Sequence, residues 1–153
     1  MFLAFTTIAS ANEEVLSFPF TPDNVKDWKY FSDQVMGGVS EGQVSLEQDG
    51  DKVFIRLSGN VRTDNNGGFI QLRTSTSLSN KPLMFNLLHN SKKEGKKLKG
   101  IRLKVKGNGE KYHIFIQTTI FYRLPTGYKI ATFDTSPNWE TVEITFNKFK
   151  KLK

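Results

Sequence analysis

The chain has 153 residues, no cysteine, 37% hydrophobic residues and a formal net charge of +7. That length suits one domain with a core large enough to hold without disulfides or metal, and the missing cysteines exclude thiol catalysis, cysteine zinc sites and disulfide stapling while leaving the redox compartment open. The excess charge gathers in Lys92, Lys93, Lys96, Lys97, Lys99, Arg102, Lys104, Lys106 and Lys111 and again in Lys148, Lys150, Lys151 and Lys153; this suits an acidic partner surface, a membrane face or nucleic acid, although a solvated lysine face is the commoner case.

Residues 1–11 are a short apolar run ending Ala9-Ser10-Ala11, ahead of Asn12-Glu13-Glu14. Small residues at these positions are the pattern of a leader cleaved after Ala11, although the basic n-region is absent. The chain is therefore read as a candidate signal peptide, 1–11, and a single domain, 12–153, exported to the periplasm or the cell exterior. The run is too short to span a bilayer, and no later segment could.

Next come Trp28, Tyr30 and Phe31, and then Ser32-Asp33-Gln34-Val35-Met36-Gly37-Gly38-Val39-Ser40. Paired glycines between apolar residues mark a sharp corner or a close backbone approach. From Val44 onward apolar and polar residues alternate, as in strands with one buried face. Val53, Ile55 and Leu57 alternate with Phe54, Arg56 and Ser58; Ile101, Leu103 and Val105 alternate with Arg102, Lys104 and Lys106, which puts those three cations on one face. Further strands are expected at Tyr112 to Thr119, Tyr128 to Phe133 and Val142 to Phe146. Asp49-Gly50, Asn66-Gly67 and Asn108-Gly109 fall between such runs and are read as hairpin turns. Residues 76 to 99 read as a long connection with a short strand or turn near Leu83 to Leu88, and 123–127 as a link between strands. Many short strands with regular turn signals imply an all-β, jelly-roll-like sandwich.

Catalysis is hard to assemble from this inventory, and no enzyme is expected. His89 lies in the long connection and His113 within a strand; Asp33, Asp64 and Asp134 sit in separate segments. No nucleophile elbow, zinc helix or phosphate loop is present. Asp49-Gly50-Asp51 and Asp64-Asn65-Asn66 could offer oxygens to calcium, but turns use the same residues, so no metal and no cofactor is expected. Trp28 and Trp139 read as core. Arg73, Tyr112, Gln117 and Tyr122 are a candidate ligand face, on which aromatic rings would stack a flat ligand and polar groups bond its edge. Nucleic acid is disfavoured, because no RNA-binding motif is visible and the lysines lie apart from most aromatics.

In order, Trp28, the Ser32 to Ser40 run, Asn66-Gly67-Gly68-Phe69, Lys106-Gly107-Asn108-Gly109 with Tyr112, and then Tyr128, Phe133 and Trp139 resemble the complex I intermediate-associated protein 30 family. The resemblance implies a jelly roll of the galactose-binding-like type and a non-catalytic role in assembling a membrane protein complex, with respiratory complex subunits as partners. It also implies that Asp33, Met36, Gly37, Gly38, Ser40, Gly67, Gly68 and Phe69 form a binding end of the sandwich. Thr145-Phe146 stands where the family has a proline-containing strand, so the jelly roll is expected to lack its last strands; the lysines of 91–99 read as an insertion. The alternative is an exported carbohydrate-binding sandwich whose partner is a glycan.

Overall fold

A computed structural model describes residues 2–10, 15–18, 20–74, 97–117 and 128–152. The expected strands at Leu83 to Leu88 and beyond Gln117, the 123–127 link, His89 and Tyr122 lie outside these residues. The elements run β1 (Phe2–Ser10), β2 (Val15–Phe18), the helical turn α1 (Pro22–Val25), β3 (Trp28–Ser32), β4 (Glu41–Asp49), β5 (Lys52–Asn60), β6 (Ile70–Thr74), β7 (Lys97–Lys106), β8 (Lys111–Gln117), β9 (Tyr128–Asp134), β10 (Glu140–Thr145) and β11 (Lys150–Lys151).

The larger sheet has the order β10-β7-β1-β5-β4, with β2 also paired to β1; the other strands form a β11-β9-β8 sheet and a β3-β6 pair. The alternating side chains decide how these layers meet. Ile55, Ile101, Leu103, Val105 and Ile144 from the larger sheet pack with Ala131, Phe133 and Phe149 from the β11-β9-β8 side, while Trp28 and Leu72 of the β3-β6 pair lean on the same core. The protein is thus an all-β sandwich, as the alternation implied. Completely buried Ile55, Leu103 and Val105 mark its centre, and each contributes about 1.5–3 kcal/mol by leaving water.

Several expectations are corrected. Residues Phe2–Ser10, ahead of the first expected strand, form a central strand whose backbone pairs with β7 from Phe2 to Ser10 and with β5 at Phe2 and Leu3. Of the three expected turns only Asp49-Gly50 closes a hairpin, between β4 and β5, with Gly50 at φ 59°. Asn108-Gly109 and Asn66-Gly67 instead carry the chain from the larger sheet to β8 and β6, in other sheets; turn residues report local φ, not which strand the next segment joins. Lys97, Leu98 and Lys99, assigned to an insertion, begin β7, and Leu98 is buried. Trp139 sits outside the central core and packs edge-on against Phe54 at 5.3 Å. Phe54 alternates with Ile55 and so covers the opposite face of the sheet. After β10 the chain turns through Phe146–Lys148 and returns as β11 beside β9.

Candidate functional site

Asp33 organises one end of the sandwich. Ser32 ends β3 and caps a 3-10 turn over Asp33–Met36, its hydroxyl accepting from the Gln34 N–H; Gly37 closes the turn at φ 86°, a left-handed conformation that glycine adopts without strain. The Asp33 side chain points inward and is 0% exposed. Its carboxylate accepts four hydrogen bonds: from the Ser40 N–H (3.0 Å), the Ser40 hydroxyl (2.5 Å), the Gly68 N–H (2.5 Å) and the Phe69 N–H (3.2 Å). Ser40, itself fully buried, also accepts from the Arg62 N–H at 3.0 Å. Backbone bonds continue the junction, with the Asp33 N–H on the Phe69 carbonyl and the Gly38 N–H on the Asp33 carbonyl.

This packing accounts for two of the glycines. A Cβ on Gly38 would stand 2.5 Å from Oδ1 of Asp33, and one on Gly67 2.5 Å from Oδ2. Neither space admits a side chain. Burial alone would push the Asp33 carboxyl up, but the Ser40 hydroxyl and the Gly68, Ser40 and Phe69 amides outweigh it and bring the pKa from the ordinary 3.8 down to about 2. A carboxylate so saturated and so acidic is suited to holding loops together, not to accepting protons near neutrality.

Around this junction the chain presents aromatic and apolar groups. Phe69 stacks on Phe31 at 6.4 Å, and the Arg73 guanidinium lies 3.7 Å over the other partner in that pair, Phe31. Val35 and Met36, on the turn that Asp33 fixes, are 62% and 66% exposed, and Val61 on the adjoining loop is exposed as well. The Asn65 side-chain amide donates to the Gly37 carbonyl and ties the loop tips together at 3.3 Å.

The motif residues Asp33, Gly38, Ser40, Gly67, Gly68 and Phe69 therefore converge, with Gly37 and Met36 on the same turn. The candidate ligand face is arranged differently. Arg73 is on β6 and engages Phe31, whereas Tyr112 is on β8, where its ring stacks on Phe133 and its hydroxyl donates to Asn108 Oδ1 at 2.9 Å. Burial, and then the Glu110 charge, push the Tyr112 phenol up. Gln117 ends β8, and its side chain and Tyr122 are outside the described residues. Asp64 pairs with Arg62 and Asp134 with Lys111, so the carboxylates of the three segments do not meet. Sequence reasoning missed Phe31 and Val61 as parts of this end; the signal for Phe31 was its place directly before the motif.

No helix among the described residues is long and apolar enough to cross a membrane. A family model described as Complex I intermediate-associated protein 30 (CIA30) matches residues 18–153. No curated protein and no solved structure matches the chain.

Proposed function

The chain belongs to the complex I intermediate-associated protein 30 family, and from that premise we propose that it is a non-catalytic binding module that helps assemble a membrane protein complex. The family ties its members in general to intermediates of complex I assembly; the contact surface is our own reading. The observation that carries it is the Asp33 junction: an internally saturated carboxylate fixes a turn that presents Val35 and Met36 to solvent. Large apolar side chains on a rigid, exposed turn are the ordinary makings of a protein contact, and methionine adapts to an irregular partner. Arg73 and Tyr112 are both engaged within the protein, which favours this end over the sheet face where a glycan would stack.

The test is capture from solubilised membranes of the source cell by the tagged chain, in parallel with the Val35→Ser/Met36→Ser double variant. Respiratory complex subunits are expected on the unaltered chain and are expected to be depleted on the variant. Equal capture by both removes Val35 and Met36 from the contact. Absence of such subunits, together with retention on a glycan array, supports the carbohydrate-binding alternative instead.

A further inference from the structure

Residues 28–32 and 69–74, which meet in the β3-β6 pair, hold two cations, Lys29 and Arg73, and no Asp or Glu. The register sets Lys29 directly opposite Arg73 and Phe31 opposite Gln71. Trp28 and Leu72 lean on the core and Ser32 is buried, so alternation places Lys29, Phe31, Gln71 and Arg73 together on the outer face. Lys29 and Arg73 are exposed, and among the described residues neither enters an ion pair. The carboxylates nearest along the chain do not supply a partner: Asp27 forms no ion pair among the described residues, and Asp33 turns inward to its own four donors.

These side chains are ordered as well as unpaired. The Arg73 guanidinium lies 3.7 Å over the Phe31 ring, and the Phe69 ring stacks on Phe31 with 18° between the planes. A guanidinium stacked on a ring keeps its N–H fork free in its own plane, and among the described residues no acceptor takes it. The ring face beneath Arg73 is closed to a sugar or a base, which leaves an anion as the group this face can take. Stacking on Phe31 accounts by itself for the position of Arg73, but not for a second cation opposite it. A lysine that only guarded a strand edge would serve anywhere along β3; opposite Arg73 it destabilises the pair.

We propose that the outer face of the β3-β6 pair binds an extended acidic segment of a protein partner, with one carboxylate bridging Lys29 and Arg73 and an apolar side chain two residues on resting beside Phe31 and Phe69. The inference rests on the assembly role and names the chemistry of the partner. Opposite residues of an antiparallel pair stand about 5 Å apart at Cβ, so one carboxylate can reach both cations, and the planar fork of Arg73 suits it through paired N–H bonds. An extended segment repeats its facing side chains about every 6.8 Å. The same two-residue interval separates Lys29 from Phe31 along β3, so an acidic residue and an apolar residue two positions later fall in step with this face. β3 then runs directly into the turn that exposes Val35 and Met36, which makes the face continuous with the contact proposed there.

The test is titration of the whole chain with the peptide acetyl-Glu-Thr-Phe-Thr-Leu-amide, followed through backbone amide shifts by NMR. Shifts are expected at Lys29, Phe31, Phe69 and Arg73. Replacing the Glu of the peptide by Gln is expected to weaken binding about tenfold, as loss of both charged contacts would. Lys29→Gln is expected to weaken it about threefold, and so is Arg73→Lys, which keeps the charge but loses the planar fork. Lys104→Gln removes a cation from the outer face of the larger sheet and is expected to change it by less than about 1.5-fold at physiological salt. Absence of shifts on this face, equal binding of the Glu and Gln peptides, equal losses in Lys29→Gln and Lys104→Gln, or tighter binding here by oligothymidylate would each overturn the proposal. The titration uses no membrane extract, so its failure is told apart from a failure to capture respiratory subunits.

Discussion

The Asp33 junction and the β11 edge handle charge in opposite ways. At the junction one carboxylate is fully buried and surrounded by four donors, and glycines clear the space it needs. At the edge, Lys129 and Lys151 stand opposite one another in solvent without a carboxylate partner among the described residues. The first arrangement is self-sufficient and the second is not. A sequence motif as specific as the one around Asp33 therefore marks the part of the molecule that is internally complete, while the charge that is left over lies where no motif draws attention.

Removing the charge at the two places should separate them most sharply. Asp33→Ala removes the acceptor of the buried Ser40 N–H and of the partly buried Gly68 and Phe69 N–H groups, and leaves the Ser40 hydroxyl only the Arg62 carbonyl at 3.1 Å; each lost partner is costly. A fall in melting temperature of about 10 °C or more is expected by calorimetry. A fall of only a degree or two would mean that water replaces the carboxylate and that the junction is not what holds the loops. Gly38→Ala attacks the same contact sterically, since the new Cβ would meet Oδ1 at 2.5 Å. Destabilisation of about 3 kcal/mol in urea titration is expected, at the upper end for overpacking.

The junction also has a pH signature. Because the Asp33 pKa is lower in the folded protein, about 2 against an ordinary 3.8, the folded state holds fewer protons than the unfolded one between these values. Its stabilising effect is fully present above pH 3.8 and fades as the pH falls towards 2. Asp33→Asn, which cannot titrate, should lack this component, so the stability gap between the unaltered chain and the variant should narrow across that interval. A gap that stays constant would show that the carboxylate is not preferentially ionised in the fold.

The difference between the two regions also explains what was legible in the sequence. Leu103 and Val105 alternate with cations and Ile55 stands between Phe54 and Arg56, and all three fell where the alternation put them. β1 was not legible as a strand, because Phe2-Leu3-Ala4-Phe5 lacks that alternation. The role of Asp33 was hidden for another reason. Most of its partners are backbone amides, which any residue supplies, so only the glycines that make room for it left a trace. Arg73 was grouped with Tyr112 on one face because its cation–π partner, Phe31, sits on another strand, brought to it only by the β3-β6 register. The Lys129–Lys151 juxtaposition depends on the two-residue strand β11, too short for any periodic pattern to reveal.

At the edge, altering charge should have a small effect of the opposite sign. Lys151→Glu replaces a like-charge pair by an attractive one with Lys129, and a gain of about 0.5 kcal/mol is expected. No gain would mean that the two side chains already diverge into solvent.

The smallest effect on stability is expected where the proposed contact lies. Val35 and Met36 project from the turn without joining the core, so Val35→Ser/Met36→Ser should leave the unfolding free energy within about 0.5 kcal/mol. The hydrogen bonds of Asp33, which start from the same turn, involve neither side chain. If the double variant melts like the unaltered chain yet loses its captured partners, exposure at this tip serves recognition. If it melts several degrees lower, Val35 and Met36 instead pack against the rest of the protein in solution, and the junction is a structural clasp whose apolar tip has no partner to meet.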